Sequence, residues 1–270
     1  MTEAFRAVRR RTRASEPPDW EYLPGGWPDA SDAAPGWNAE SIVETQLARW
    51  PGFVRSVEPP APFGQSNESD GGAPEYVVHN TIMTFGYVLA RAAQGRTSLT
   101  MLDWGGGLGH YCVYARGLLP DLRLDYHCCD LPNLVAAGRA VLPDVTFHSD
   151  QDEALAGRYD LVVASSSLQY SRDWRPLLRR LASATTGHLY VTRQPFVKKA
   201  ASFVVVQRPY RFGYLTEYPG WFLNRDEFLA AAGDAGLKLL REFLIWEMPD
   251  VPHAPEVADY RGFLFSPAAP

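Results

Sequence analysis

A glycine-rich turn between a predicted strand and a predicted helix is the sequence feature that most limits how this chain can fold. In the stretch Met101–Gly109, an apolar run and an acidic residue precede glycines at three alternate positions, Gly105, Gly107 and Gly109. Glycine lets the backbone turn sharply and approach a ligand closely, because it has no Cβ atom. A helix that begins directly after the turn, at His110, would present unpaired N–H groups. The stretch therefore predicts a strand–turn–helix unit with a small-molecule site at the turn.

A second predicted strand, Leu122–Cys129, ends at Asp130, which follows Gly109 by 21 residues. An acidic residue about 20 residues after a glycine turn typically holds the ribose of a nucleotide cofactor. A carboxylate suits a ribose because it accepts hydrogen bonds from both hydroxyls. The alternative is an ordinary βαβ unit with a tight turn and a surface aspartate. The combined spacing favours a cofactor that contains a nucleoside.

The charge at the turn separates two cofactors that share this geometry. A dinucleotide site usually has the spacing G-x-G-x-x-G, with the pyrophosphate at the helix N-terminus. Here the spacing is G-x-G-x-G, and Asp103 stands two residues before Gly105. A carboxylate at that position repels pyrophosphate and attracts an ammonium group. The residues therefore favour S-adenosylmethionine, which carries an amino-acid ammonium, over a nicotinamide dinucleotide.

The glycine turn resembles the first motif of class I S-adenosylmethionine-dependent methyltransferases, with the pattern Leu-Asp-x-Gly-x-Gly-x-Gly over residues 102–109. The run Asp130-Leu131-Pro132 is similar to the ribose-binding turn of the small-molecule methyltransferases in that class. Tyr159–Ser165 is similar to their fourth strand. The resemblance covers roughly residues 75–270 and implies a cofactor-binding domain there, preceded by an N-terminal cap at residues 1–74.

Four further blocks are similar to a family of bacterial methyltransferases whose members often accompany polysaccharide and other biosynthetic genes. The blocks are Ser167–Tyr170, Thr192–Phe196, Val206–Pro209 and Tyr218–Trp221. This closer resemblance implies a biosynthetic enzyme and says little about its substrate.

The class I resemblance also implies which residues hold the cofactor. Asp103 and the glycines of the turn are expected to face the methionine part, and Asp130 with Leu131 is expected to face the ribose. Asp150 follows the third predicted strand, where related enzymes bind the adenine amino group with an acidic side chain. Its alternative role is the N-cap of a helix. Ser165, at the end of the fourth predicted strand, completes the set.

Strands and helices alternate along the second part of the chain, which is typical of a parallel sheet with helices on both faces. We expect an α/β fold: a doubly wound, mostly parallel seven-stranded Rossmann-like sheet, with an N-terminal cap and an insert after the fifth strand. The predicted strands are Ser98–Asp103, Leu122–Cys129, Val145–His148, Tyr159–Ala164 and His188–Arg193, then Ser202–Val206 in the insert, and Leu237–Trp246 with Arg261–Phe265 as a final pair. The predicted helices are His110–Leu118, Asn133–Val141, Trp174–Ala184 and Asp226–Ala235.

The segment before this domain is rich in proline, glycine and aromatic residues. Residues 16–37 and 56–74 predict loops, separated by a helix predicted at Asn38–Trp50 and followed by one at Glu75–Gln94. Aromatic side chains in a loop must pack somewhere, so we expect the segment to cover the domain. A lid over the site, a homodimer arm and a passive cap all remain open as roles for residues 1–74.

Methyl transfer to a hydroxyl requires alignment with the donor, exclusion of water and removal of a proton. Related O-methyltransferases often place a histidine base after the fourth strand, but this chain has Gln169 there, which cannot act as a base at neutral pH. His79 and His110 are the alternative bases, although either side chain could simply be packed. Tyr170 is a candidate for orienting the acceptor hydroxyl or closing over the methyl donor.

The acceptor is expected to lie near the fifth predicted strand. Arg193 ends that strand and is a candidate partner for a substrate carboxylate or phosphate, with an internal salt bridge as the alternative. Gln169, Tyr218 and Trp221 are the other candidate acceptor-binding residues. The two aromatic residues are equally compatible with the core of the insert.

Composition argues against several classes of protein. A net charge of −5 and a pI near 5.7 argue against a dedicated nucleic-acid binder. No apolar run approaches the about 20 residues that a membrane-spanning helix needs. The cysteines Cys112, Cys128 and Cys129 match no metal-ligand or disulfide spacing, so no metal is expected. The N-terminal arginines are not followed by the apolar segment of a secretory signal, and a cytoplasmic location is expected.

The leading expectation is methyl transfer from S-adenosylmethionine to a small-molecule or sugar-like acceptor, with oxygen as the expected atom. N- or C-methylation of a biosynthetic intermediate remains open, since an amine would tolerate the missing histidine base. A cofactor-binding module without turnover also remains open. A nicotinamide-dependent oxidoreductase is disfavoured by Asp103 and the glycine spacing.

Overall fold

The computed structural model describes residues 17–29, 35–69 and 71–268. The strands are β1 Trp20–Leu23, β2 Ser98–Trp104, β3 Arg123–Cys129, β4 Thr146–His148, β5 Tyr159–Ser165, β6 Thr185–Val197, β7 Phe203–Gln207, β8 Tyr218–Asn224, β9 Leu237–Leu244 and β10 Asp259–Pro267. The helices are α1 Glu40–Val57, α2 Tyr76–Ala92, α3 His110–Leu118, α4 Pro132–Val141, α5 Gln151–Ala156, α6 Trp174–Ala184 and α7 Arg225–Asp234. The N-terminal arginines considered above lie outside the described residues.

Seven strands form the body of the sheet in the order β4-β3-β2-β5-β6-β10-β9. The strands from β4 to β6 are parallel, and β10 runs antiparallel to both β6 and β9. The expected doubly wound, mostly parallel seven-stranded sheet is therefore confirmed. Strand order reverses between β2 and β5, which is the position where open α/β sheets bind ligands.

The predicted insert after the fifth strand extends this sheet. The end of β6 pairs in parallel with β8, and β7 pairs antiparallel with β8. The segment Trp20–Leu23 then adds β1 antiparallel to β7. A loop was predicted for residues 16–37, and for Trp20–Leu23 that prediction was wrong. The strand forms because β7 offers a free edge far away in the chain, a partner that the local sequence does not reveal.

Helices cover both faces of the sheet, so its central strands are buried on both sides. Leu102, Val162 and Leu189 have 0% exposed surface. One hydrophobic core lies beneath α1 to α4, and a second lies beneath α6 and α7. Helix α2 contributes Ile82 and Phe85 to the first core.

Helix α1 continues past the predicted end at Trp50, and it includes Pro51. The reason is the apolar face of the helix: Phe53 and Val57 lie beyond the proline, and both are buried in the same core as α2. Their burial outweighs the backbone hydrogen bond that a proline removes. This part of the N-terminal segment therefore packs directly against the cofactor-binding domain.

Besides β1, the sequence analysis missed the helix α5 and the strand β8. Helix α5 spans only six residues, and its start is set by Asp150, whose carboxylate accepts hydrogen bonds from the N–H groups of Asp152 and Glu153.

Within the described residues, no helix is long and apolar enough to cross a membrane. The same part of the chain contains no group of three or more His, Cys, Asp or Glu residues arranged to hold a metal ion.

Candidate active site

The glycine turn after β2 has a backbone conformation that favours glycine. Gly105, Gly107 and Gly109 have φ angles of +73°, +59° and +90°. The N–H of Gly105 donates to the final carbonyl oxygen of β3 at 2.8 Å, which ties the turn to the neighbouring strand. A Cβ atom on Gly106 would lie only 2.3 Å from Oδ2 of Asp103. The absence of side chains therefore lets the turn close onto the Asp103 carboxyl group.

Asp103 is fully buried at the end of β2. The Tyr126 hydroxyl donates to its Oδ2 at 2.5 Å, whereas Oδ1 has no hydrogen-bond partner among the described residues. Burial raises the pKa of Asp103 to about 7; the bond from Tyr126 opposes this shift, and the charge of Asp130 adds to it. A buried carboxyl group with one unpaired oxygen fits an ammonium group, which supplies a charge and a donor together.

We expect the change Asp103→Asn to raise the free energy of unfolding of the ligand-free protein near pH 8 by about 2 kcal/mol. The pKa of about 7 in the folded chain exceeds the ordinary 3.8, so ionisation destabilises the folded state as the pH rises from about 4 towards 7. Asparagine carries no charge and still accepts the Tyr126 hydroxyl. Urea unfolding should show the gain near pH 8 and little gain near pH 4. A loss of stability near pH 8 would contradict this account.

Asp130 lies at the start of the loop after β3 and faces the glycine turn. Its Oδ2 accepts from the N–H of Gly107, and its Oδ1 accepts from the N–H of Leu131, both at 2.7 Å. Burial raises the pKa of Asp130, and these two backbone bonds oppose the shift. The bonds hold the carboxylate beside the turn, at the position from which a ribose would be bound.

A cavity of about 590 Å³ runs along the carboxyl ends of the parallel strands, from the loop after β4 to β6. Small-molecule sites typically have volumes of about 300–1,000 Å³. Of the residues predicted for the site, those that line the cavity are Asp103, Gly105, Gly107, His110, Asp130, Leu131, Ser165, Tyr170 and Arg193. The structure thus brings most of the predicted cofactor-binding residues together at one edge of the sheet.

The end of the cavity near β4, where adenine was expected to bind, has a different lining from the one predicted. Asp150 is not among the described residues that line the cavity, because its carboxylate caps α5. The alternative role considered for Asp150, the helix N-cap, is the one observed. Its two neighbours, Ser149 and Gln151, line the cavity instead, together with Leu134. Gln151 directly follows the N-cap residue Asp150, and its side chain takes no part in the capping bonds. This position after a strand end is the sequence signal that could have indicated Gln151 as a cavity residue.

The two histidine candidates have different environments. His110 is 6% exposed and packs its ring against Phe53 and Trp50, with centroids 4.6 and 5.0 Å away. Burial lowers the pKa of His110 to about 3, which makes it a weak base. His79 does not belong to the described lining of the cavity, and its Nδ1 lies 2.7 Å from the carbonyl oxygen of Phe63. Neither placement favours a histidine as the base.

The residues after β5 are held by side-chain bonds. The Tyr170 hydroxyl donates to Oε1 of Gln207 at 2.7 Å, and burial raises the pKa of Tyr170. Tyr170 therefore remains protonated at neutral pH and contributes its ring to the cavity wall. Gln169 lies behind this wall, where its Nε2 donates to the Ser166 hydroxyl at 3.0 Å. The Ser165 hydroxyl accepts from Tyr111 at 2.8 Å.

Tyr218 and Trp221 do not line the cavity within the part of the chain that the structure describes. The ring of Tyr218 stacks on Trp37, with centroids 4.6 Å apart, and therefore supports the cavity wall from behind. The indole N–H of Trp221 donates to the carbonyl oxygen of Arg172 at 3.1 Å. Both side chains thus pack within the insert and its surroundings, the alternative considered for them above.

Four lining residues come from the N-terminal segment, and the sequence analysis missed them all. They are Trp37, Gln46, Asn67 and Glu68. Gln46 and Glu68 lie close to residues of the domain: a Cβ atom on Gly107 would lie 3.3 Å from Oε1 of Gln46, and Arg193 Nη2 lies 3.3 Å from Oε2 of Glu68. No motif marks these positions in the sequence.

The parallel sheet, the glycine turn and the facing acidic residue define an α/β enzyme that binds a nucleoside-containing cofactor. The sequence matches the family described as methyltransferase domain over residues 82–242, more than half of the chain. The chain belongs to this family. The expected enzyme class, an S-adenosylmethionine-dependent methyltransferase, is therefore confirmed together with its cofactor. No curated protein matches the sequence.

Solved methyltransferase structures resemble this chain at low sequence identity. A protein from Galdieria sulphuraria, provisionally assigned as a sarcosine dimethylglycine methyltransferase, has a TM-score of 0.52 and 14% identity, over 82% of this chain and 98% of that one. The 1,6-didemethyltoxoflavin-N1-methyltransferase of Burkholderia thailandensis, solved with 1,6-didemethyltoxoflavin and S-adenosylhomocysteine, has a TM-score of 0.49 and 14% identity, over 86% and 92%. Mitomycin 7-O-methyltransferase has a TM-score of 0.48 and 18% identity, over 83% and 68%. The first of these likenesses shows a shared fold.

Proposed function

We propose that this enzyme transfers the methyl group of S-adenosylmethionine to a hydroxyl of a small, ring-shaped acceptor such as a sugar-like molecule. The observation that carries the proposal is the continuity of the cavity. One end holds the glycine turn with Asp103 and Asp130, and the other end holds Trp37 and Tyr170. An aromatic wall beside polar groups suits a ring that carries hydroxyls.

The polar groups beside the glycine turn fit the parts of the cofactor. Asp103 would bind the ammonium, Asp130 the ribose, and Gln151 with Ser149 would face the adenine. S-adenosylmethionine supplies a methyl group on a positively charged sulfur, which needs no further activation. The lining residues align the acceptor and exclude water. In enzymes that join two reactants, these two effects supply much of the rate acceleration over the reaction in water.

Methylation at nitrogen is a second candidate, and the charge of the cavity favours it. Among the described residues that line the cavity, Asp103, Asp130 and Glu68 are acidic, and Arg193 is basic. An acidic cavity attracts a cationic amine. The cofactor uses two of these carboxyl groups, so the remaining pair of Glu68 and Arg193 decides between the two candidates at the acceptor end.

The biosynthetic role, the acceptor class, the domain division, the cellular location and the oligomeric state are proposals. The four blocks similar to biosynthetic bacterial methyltransferases support a biosynthetic role, and a cavity of about 590 Å³ supports a small molecule as acceptor. A division into a cap at residues 1–74 and a domain at residues 75–270 is kept, with the cap supplying part of the cavity wall. A cytoplasmic location and a homodimer likewise remain predictions.

A titration followed by a transfer assay tests the proposed function. Purified full-length protein should bind S-adenosylmethionine and S-adenosylhomocysteine with micromolar affinity in a calorimeter, and it should not bind NADH or NADPH. Labelled methyl groups should then appear on neutral polyhydroxylated ring compounds, with amines as the comparison set. Binding of nicotinamide dinucleotides alone would refute the proposal, and label on amines alone would replace oxygen by nitrogen.

A further inference from the structure

The acceptor end of the cavity contains an ion pair that no motif predicted. Arg193 Nη2 lies 3.3 Å from Oε2 of Glu68 and 3.9 Å from Oε2 of Glu247. The side chains of Arg193 and Glu68 are only 20% and 17% exposed, and both line the cavity. Arg193 also has a φ angle of +48°, an unusual conformation for a residue with a side chain. Such strain is typical of functional sites.

This pairing changes what Arg193 can do. Its charge is matched by Glu68, and a second carboxyl group, that of Glu247, faces the same guanidinium. Burial raises the pKa of Glu247, and Arg193 opposes that shift. A carboxylate or phosphate that approached Arg193 would meet Glu68 at short range in a medium of low dielectric constant, where like charges repel strongly. The expected partnership of Arg193 with an acidic acceptor is therefore unfavourable.

A second observation shows that the cavity is built for a ligand rich in hydrogen-bond donors. Asp103 and Gln46 are 0% and 2% exposed, and both line the cavity. Within the described part of the chain, Oδ1 of Asp103 and Oε1 of Gln46 accept no hydrogen bond. Buried polar atoms are nearly always paired, so these acceptors await donors from a ligand. The carboxylate of Glu68 adds a further acceptor at the other end.

Glu68 is also the best-placed proton acceptor among the described lining residues. His110 is a weak base because burial lowers its pKa to about 3, and the Tyr170 hydroxyl donates to Gln207. Oε2 of Glu68 accepts from Arg193 Nη2 at 3.3 Å, and among the described residues no donor to Oε1 is observed, so this oxygen can face a substrate. A carboxylate so positioned by a guanidinium can both orient a hydroxyl and take its proton.

Resting on the proposed function, we propose that Glu68 binds the nucleophilic group of the acceptor, and that this subsite takes a hydroxyl or an ammonium group and rejects carboxylates and phosphates. With a hydroxyl, the new O–CH₃ bond forms as the S–CH₃ bond breaks, and the hydroxyl proton passes to the Glu68 carboxylate. With an ammonium, Glu68 first takes one proton, and the freed lone pair then forms the N–CH₃ bond. Arg193 positions the carboxylate. Glu68 precedes the residues 82–242 that match the methyltransferase family.

Three probes of matched size test the charge preference without knowledge of the natural acceptor. Benzylamine, benzyl alcohol and benzoate are titrated by NMR into full-length protein saturated with S-adenosylhomocysteine, near pH 7. We expect the amine and the alcohol to bind at least about tenfold more tightly than benzoate. Glu68→Gln should reduce the preference of amine over benzoate by about tenfold or more, and Glu68→Asp should largely restore it. The affinity for S-adenosylhomocysteine should stay within about twofold in both variants.

The control variant is Glu58→Gln, which removes the same charge from an exposed position in the same segment. It should leave all three probes unchanged. Benzoate binding as tightly as benzylamine, no binding of any probe, or an unchanged order in Glu68→Gln would each overturn the proposal. A large loss of S-adenosylhomocysteine binding in Glu68→Gln would overturn it too, since Glu68 would then serve the cofactor. If the wild-type protein fails to bind S-adenosylhomocysteine at all, the proposed function fails instead.

Discussion

Replacing Gly105 with alanine is expected to weaken S-adenosylhomocysteine binding by about a hundredfold or more and to lower the free energy of unfolding by about 2 to 4 kcal/mol. Two effects add. The φ angle of +73° is unfavourable for any residue with a Cβ atom, and that atom would lie 2.4 Å from Cβ of Ser167. Ser167 cannot easily move away, because its hydroxyl donates to the carbonyl oxygen of Trp104 at 2.9 Å. The turn itself must therefore shift, and the cofactor site shifts with it.

Gly95→Ala is the matched control for this change. Gly95 also has a φ angle of +73°, but a Cβ atom there would have no neighbour within 4 Å. The control therefore carries the same backbone strain without the clash. We expect it to cost about 1 kcal/mol of stability and to leave the affinity for S-adenosylhomocysteine unchanged. Urea unfolding and calorimetry on both variants measure the two effects, and equal losses in both would show that the clash with Ser167 is unimportant.

The affinity for S-adenosylhomocysteine is expected to rise about tenfold for each pH unit between about 5 and 7, and to level off above that. The ammonium group needs an ionised partner, and burial raises the pKa of Asp103 to about 7 in the free protein. Below that pH the carboxyl group must lose its proton when the ligand binds. Calorimetry in two buffers with different ionisation enthalpies should detect the release of about one proton near pH 6.

Asp103→Asn tests whether this carboxyl group is the source of the effect. The variant should bind about 10 to 100 times more weakly near pH 8, because it lacks the charge, and its affinity should hardly change with pH. Asp130→Asn is the comparison, since burial also raises the pKa of Asp130. That variant should bind weakly yet retain the pH dependence. If Asp130→Asn abolishes the dependence and Asp103→Asn keeps it, the ammonium is bound at Asp130 rather than at Asp103.

The cofactor half of the site was predictable because its signal is local. Residues 98–110 contain a strand, a turn and the start of a helix, and the glycine spacing follows from backbone sterics alone. Asp130 follows one βα unit later, a distance that the βαβ geometry sets. The same local periodicity predicted α3 and α6 with the bounds that the structure has, His110–Leu118 and Trp174–Ala184.

The errors arose where a distant partner overrides local preference. The helix was predicted to end at Trp50, yet α1 continues through Pro51 because Phe53 and Val57 are buried in the first core. The proline and glycine content of residues 16–37 indicated a loop, yet Trp20–Leu23 pairs with β7 nearly two hundred positions later. Asp150 was assigned to adenine by analogy, and the structure adds a capping role in which its Oδ1 accepts from two N–H groups at the start of α5; the contact with adenine stays a prediction. In each case the competing interaction is invisible in the neighbouring residues.

Local sequence was thus enough to predict the parallel sheet with most of its helices, the glycine turn and the two carboxyl groups, Asp103 and Asp130, that lie beside it. Tertiary packing alone placed Trp37, Gln46 and Glu68 of the N-terminal segment in the same cavity as Arg193. The physical reason is that a backbone turn depends on steric limits within a few residues, whereas an ion pair such as that of Glu68 and Arg193 joins positions 125 residues apart. Such a pair depends on how the N-terminal segment packs against the domain, and it sets the charge of the cavity at that position.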